Sequence, residues 1–243
     1  METFTLYQFP ISHYCEKVRW ALDHKQVDYR IVNLLPGFHI FSTRRLAAQT
    51  SVPILRHGAQ VIQGSSAIIS YLDETVPRYP LTPEESSLKA EALAWEEYID
   101  EGIGTHVRRI CYATLLDYPE LVIPLYTEHG PWYGKYLLPP LFPLLRHKMR
   151  RMMDINPPAT QHSQQQLSAA LDKLRDHLGE HRFLVGNRFS RADLALAALL
   201  APLFKPARYG INWPASYPEP LQLLCDSYAE KIGWVRELYE EYR

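Results

Sequence analysis

The chain has 243 residues, of which 47% are hydrophobic and 22% charged, and its formal net charge is −1. That length buries a sizeable core in one large or two modest folding units. The near-neutral balance excludes a global field that would gather nucleic acid. The start, "METFTLYQFPISHYC", has no basic segment followed by an apolar core, so no secretory signal is expected. The longest apolar runs, such as "YLLPPLFPLL", are short and broken by proline, so no transmembrane segment is expected either. Cys15, Cys111 and Cys225 are far apart and odd in number. They point to a reducing, cytoplasmic setting rather than a disulfide scaffold.

"TFTLYQF" (3–9) reads as a strand, with Phe4 and Leu6 on one face and Tyr7 and Phe9 on the other. Pro10 stops it, and "EKVRWALDHK" (16–25) follows as a helix. Its apolar stripe is Val18, Ala21 and Leu22, which leaves Glu16, Lys17 and Asp23 to face water. "DYRIVNLL" (28–35) is β-rich, and "FSTRRLAAQ" (41–49) suits a short helix. "PILRHGAQVIQG" (53–64) reads as a hairpin turning at His57-Gly58, and "SSAIISYLDETV" (65–76) as a helix. The order is βαβαββα over residues 1–76.

Three prolines and clustered polar residues in 77–87 mark a linker. Beyond it, residues 88–243 have helical periodicity. Residues 87–116 form one long helix or a bent pair, and 163–178, 190–204, 220–232 and 234–243 supply further helices. Between them, 117–160 is an insert rich in proline and aromatics that turns basic in "RHKMRRMM" (146–153). The expected architecture is a small α/β unit followed by an all-helical one.

Two residue types in "ISHYCEKVR" (11–19) could carry chemistry. Ser12 stands where a helix N-cap belongs, and Cys15 shares a face with Val18 and Leu22. Capping and packing are the plainer readings on spacing alone. Yet a helix start also presents free amides and a positive dipole end, which stabilise a thiolate placed there. "TSVPIL" (50–55) puts Pro53 at the mouth of a strand, where a cis Val52-Pro53 bond would turn the Val52 backbone toward a peptide-like ligand; the plain alternative is a strand-opening proline. "GSSAI" (64–68) puts two hydroxyls at another helix start, which suits a carboxylate; the plain alternative is an N-cap at Ser65.

A strand, S-x-x-C at a helix start, V-P before a hairpin and G-S-S-A-I before a helix together resemble the thioredoxin-like half of the glutathione S-transferases. "FLVGNRFSRADLALAALL" (183–200) resembles the helix-nucleating segment of that family's second half. Ser190 would cap there, Asp193 would close the capping box and Phe189 would staple onto Leu194. The resemblance covers almost the whole chain except 117–160. It implies a thioredoxin-like α/β domain followed by an all-α domain, glutathione as co-substrate, a small electrophile as second substrate and a homodimer.

Position by position, the resemblance places Ser12 at the glutathione sulfur, as in members with a serine or cysteine there. The tyrosine of other classes would fall at Gln8. Val52 and Pro53 would hold the cysteinyl backbone, and Ser65 with Ser66 the γ-glutamyl carboxylate. An acidic residue usually precedes that serine. Here it is Gly64, which leaves Gln63 as the substitute partner for the γ-glutamyl ammonium. Tyr112, Trp132 and Tyr133 are candidate walls of an apolar substrate pocket.

Two other readings use the same scaffold. Cys15 could serve thiol–disulfide or peroxide reduction, or the chain could bind glutathione without turnover. "HLGEH" (177–181) formally matches a zinc motif, but Gly179 reads as a helix stop and no third ligand is near, so no metal is expected. The basic run 146–153 reads as a solvated helix face rather than a membrane or nucleic-acid contact.

Overall fold

The computed structural model describes residues 3–243. It contains β1 (Phe4–Gln8), α1 (His13–His24), β2 (Tyr29–Asn33), α2 (His39–Leu46), β3 (Ile54–His57), β4 (Gln60–Gln63) and α3 (Ser65–Thr75). The strands form one sheet in the order β2-β1-β3-β4. β1 runs parallel to β2 and antiparallel to β3, which pairs antiparallel with β4. This is the expected thioredoxin-like half. Alternation decides the faces of β1, where Phe4, Leu6 and Gln8 are buried and the residues between them less so.

The second half is helical: α4 (Ser86–Ile99), α5 (Thr105–Leu115), α6 (Pro119–Thr127), α7 (Gly134–Met152), α8 (Pro157–Leu178), α9 (Arg191–Phe204), α10 (Glu219–Tyr228) and α11 (Gly233–Tyr242). A π-helical turn, Asp100–Gly104, joins α4 to α5, so of the two sequence readings, one long helix or a bent pair, the second holds. Gly104 closes this turn at a place where a Cβ would collide with Tyr14 Oη and Leu199, so the close approach needs glycine. Nearly all of α9 is buried, and it packs against α1, α4 and α11. Its start carries the expected Ser190/Asp193 capping box. The Phe189 ring stacks on Tyr242 with centroids 4.6 Å apart.

The amphipathic reading of α1 fails on its polar side. Glu16 and Lys17, expected in water, are fully buried. The reason is that α3 flanks α1 on one side and α9 on another, while Tyr239 of α11 covers Trp20. Each buried charge is matched. Lys17 Nζ lies 2.8 Å from Glu96 Oε1, and Arg191 Nε lies 2.6 Å from Glu96 Oε2. Glu16 faces Arg19 and Arg243, each at 2.7 Å, and accepts a hydrogen bond from Tyr239 Oη at 2.6 Å.

The insert is also more regular than its prolines suggest. Pro119 occupies the first turn of α6, where its missing N–H costs nothing. Pro139, Pro140 and Pro143 lie inside α7 on its exposed side, while Leu138 and Phe142 are buried and hold the helix to the body.

Removing the carboxylate shared by two buried cations is far more costly than removing a surface charge. Glu96→Gln should lower the unfolding free energy by about 3–5 kcal/mol in urea denaturation at neutral pH. A loss below about 1 kcal/mol would mean that water screens the cluster.

Candidate functional site

The backbone between β1 and α1 turns at Phe9–Ser12, and Ser12 takes the N-cap position in extended conformation. Its Oγ accepts a hydrogen bond from the Cys15 amide at 3.4 Å. Ser12 is half-buried and Cys15 fully buried. Burial pushes the Cys15 thiol up, and the Ser12 hydrogen bond and the Arg19 charge oppose that shift only in part. Gln8, where a tyrosine would otherwise fall, is buried and bonded to Asn33 and Arg19.

A cleft of about 280 Å3 reaches the first turn of α1 and is lined by Tyr14, Val52, Pro53, Gly64, Ser65, Ser66, Ala67 and Asp100. The Val52-Pro53 peptide bond is cis, as expected. Four sequence-derived candidates therefore meet in one cleft: Val52, Pro53, Ser65 and Ser66. Ser12, Gln63, Tyr112, Trp132 and Tyr133 are not among its lining residues.

The start of α3 differs from the sequence reading in a useful way. The N-cap is Gly64, not Ser65, and no side chain caps this helix. Gly64 has φ 96°, a backbone state that side chains rarely adopt, so glycine is required where the resemblance leads one to expect an acid. The first-turn amides of α3 are left facing the cleft without a capping group. Ser65 is in the first helical position and buried. Ser66 is committed to a network: its Oγ donates to Asp100 Oδ2 at 2.7 Å and accepts from Lys17 Nζ at 3.2 Å.

Gln63 does something other than replace that acid. Its Nε2 donates to the carbonyls of Gln49 at 2.9 Å and Ser51 at 2.8 Å, and its Oε1 accepts from the Gln49 amide at 3.2 Å. It fixes the loop that leads into Val52. The carboxylate actually at the cleft is Asp100, from the π-helical turn. Lys17 Nζ donates to both of its oxygens at 2.8 Å, and the Tyr14 hydroxyl donates to its carbonyl at 2.6 Å. Sequence reasoning missed Asp100 and Tyr14. The only hint was a pair of glycines, Gly102 and Gly104, inside an otherwise helical run.

Deeper in the fold from the Ser12 turn, Tyr112 and Tyr126 are hydrogen-bonded hydroxyl to hydroxyl, and Tyr126 meets Phe9 edge-on at 5.9 Å. His13 is buried with Nε2 unpartnered, and burial, aided by the charge of Arg108, lowers its pKa to about 3. Its ring is therefore neutral near pH 7. Trp132 and Tyr133 pair edge-on with each other in the turn before α7.

The chain matches the glutathione S-transferase N-terminal domain over residues 6–83 and the C-terminal domain over residues 157–219. It belongs to the glutathione S-transferase family. It is 28% identical over 206 residues to the glutathione S-transferase TCHQD of Arabidopsis thaliana, which spans 82% of this chain and 76% of that protein. It is 36% identical over 100 residues to a probable maleylacetoacetate isomerase of Caenorhabditis elegans, 40% of this chain and 47% of that one. That match spans about half of the relative's length. Among solved structures, the β-etherase LigF of Sphingobium sp. strain SYK-6 superposes with a TM-score of 0.65 at 19% identity, covering 98% of this chain and 99% of that one. At that identity the likeness is one of fold.

All three cysteines are free and buried. Burial raises the Cys111 thiol, and it raises Cys225 to about 11. In the native protein none of the three should react with an aromatic disulfide reagent near neutral pH, and all three should titrate in denaturant. Rapid native labelling of Cys15, located by peptide mapping, would reverse this and favour reduction chemistry.

Proposed function

We propose that this chain binds glutathione in the cleft beside α1 and activates its thiol at Ser12 for attack on an electrophilic substrate. The observation that carries the reading is the meeting of Val52, Pro53, Ser65 and Ser66 around the open start of α3, in a cleft that also reaches the first turn of α1 at Tyr14, two residues from Ser12. The γ-glutamyl carboxylate takes the uncapped α3 amides and the Ser65 hydroxyl. The ammonium takes Asp100, which stands in for the acid that Gly64 excludes. The cysteinyl backbone pairs with Val52. A two-unit fall in the thiol pKa, from about 8.5, corresponds to roughly 2.7 kcal/mol of thiolate stabilisation. A hydroxyl donor and a helix start are suited to supply it. The family's homodimer and a cytoplasmic setting belong to the same proposal. The burial of Cys15 leaves the reduction reading without an accessible thiol.

Calorimetric titration of glutathione tests the carboxylate site. Ser65→Ala should weaken binding about tenfold, the loss of one charge-assisted hydrogen bond. Ser66→Ala should weaken it less, because that hydroxyl is committed to Asp100 and Lys17. Equal or reversed losses would move the carboxylate elsewhere.

A pH–rate profile with a generic aromatic electrophile tests the thiol site. The thiolate is the reactive form, so rates rise with pH through the pKa of the bound thiol. Ser12→Ala should shift that rise to higher pH by about one unit, with little change in glutathione affinity. Cys15→Ala should leave the profile in place and cost about 1 kcal/mol of stability from a small cavity. Loss of turnover in Cys15→Ala, with Ser12→Ala normal, would transfer the role to the cysteine.

A further inference from the structure

α7 carries a face that neither matched domain accounts for, since it lies between residues 83 and 157. Gly134, Leu138 and Phe142 are buried, and Leu145 and Met149 pack against the core. At 100° per residue, Leu137, Pro140, Leu141, Leu144, Lys148, Arg151 and Met152 form one stripe that borders that seam on one side, and all are exposed. Leu144 is 58% and Met152 84% exposed, and Trp132, at the turn that precedes the helix, is 79% exposed. The stripe is apolar over its first turns and cationic over its last.

The charge is one-sided. "PWYGKYLLPPLFPLLRHKMRRMM" (131–153) holds Lys135, Arg146, Lys148, Arg150 and Arg151 and no Asp or Glu, in a chain whose net charge is −1. Arg146 and Arg150 turn back toward Asp117, at 3.8 and 2.7 Å, while Lys148 and Arg151 face outward. The basic run thus continues an apolar face, which a reading of 146–153 alone could not disclose. The face is also held firmly to the body: Gly134 abuts Leu35, and Asn33 Nδ2 donates to the His129 carbonyl at 2.7 Å.

We infer that this face of α7 docks the protein on the surface of an anionic lipid bilayer. The leucines and Trp132 enter the boundary between headgroups and acyl chains, and Lys148 and Arg151 meet the lipid phosphates. Helices of this composition lie in the interface plane, and no helix among the described residues is long and apolar enough to cross a membrane. A second copy of the chain fits less well, because the stripe has no acidic residue to meet its own cations across a two-fold axis. Nucleic acid would match the cations but leave the leucines without an apolar partner. Docked in this way, the enzyme would meet electrophiles dissolved in the bilayer.

The test is co-sedimentation of the full chain with vesicles of phosphatidylcholine alone and of phosphatidylcholine containing phosphatidylglycerol. Binding is expected to the anionic vesicles only and to fall in high salt. Lys148→Glu with Arg151→Glu, and separately Leu141→Asn with Leu144→Asn, should each weaken it tenfold or more. Both pairs should keep the wild-type melting temperature and the wild-type turnover of a water-soluble electrophile. Absence of vesicle binding, or wild-type binding by both paired variants, would overturn the inference. So would absence of vesicle binding together with conversion of a dimer to a monomer by the leucine pair in sedimentation velocity, which would assign the face to a second copy. If a paired variant melts early, Lys148→Gln with Arg151→Gln replaces it, with the same expected loss.

Discussion

Two buried cations, Lys17 and Arg191, share the single carboxylate of Glu96, and the geometry of the cleft follows from that arrangement. Lys17 comes from the α/β half, Glu96 and Arg191 from the helical half, so the cluster joins the two across their contact. Withdrawing three charges from water is expensive, and mutual attraction offsets this only when the remaining donors are also satisfied. Here they are used outward. Lys17 reaches Asp100 and Ser66, and Arg191 reaches the Ser66 carbonyl at 2.9 Å and the Ser70 and Thr82 hydroxyls at 3.0 Å. The start of α3 and the π-helical turn are thereby set against each other, and these are two of the walls of the cleft. With Asp100 counted, two cations face two anions, so the cluster as a whole carries no net charge.

A second cluster does the same for the far side of α1. Glu16 is held by Arg19, Tyr239 and the last residue of the chain, Arg243. Arg19 also donates to the carbonyls of Pro10 and Tyr209 at 3.2 Å, which ties the turn before α1 to the segment after α9. Enclosed in this way, α1 keeps everything from Cys15 to Leu22 buried, and only its two ends, Tyr14 at the start and Asp23 and His24 at the finish, reach solvent. That explains why Cys15, one turn in, is sealed while Ser12 stays half-exposed. Helix enclosure, more than the intrinsic chemistry of either residue, separates a candidate reagent from a packing residue.

Much of this was legible in the sequence, and the failures have identifiable causes. The strands and the hairpin were readable because one face of the sheet is buried, and alternation records that. The Ser190/Asp193 box was readable because its hydrogen bonds are local. Glu16 and Lys17 were misplaced because a helical stripe assumes one wet side, and nothing local shows that α1 has none. The cap at Gly64 was missed because serine is the better N-cap by side-chain chemistry, whereas here the backbone turn demanded φ 96°. Asp100 was invisible because its place in the cleft depends on partners 34 and 83 positions away, Ser66 and Lys17. The insert looked irregular by its prolines, yet α7 forms because its buried seam avoids them.

The change at position 64 has a consequence for how the site would respond to a ligand. An acid placed beside Ser65 would sit in the same half, and on the same helix, as the α3 amides proposed to take the carboxylate, so both ends of the γ-glutamyl group would be read by one rigid element. Asp100 belongs to the other half and reaches the cleft only because Lys17 and Ser66 hold it there. A ligand that engages both the α3 amides and Asp100 therefore bridges the two halves, and its binding energy adds to the clamp that Lys17, Glu96 and Arg191 already make. Under the proposed binding mode, ligand affinity and the contact between the two halves would both depend on Asp100 and its bonds to Lys17 and Ser66. Weakening the buried cluster should then loosen ligand binding even where no contact to the ligand is lost.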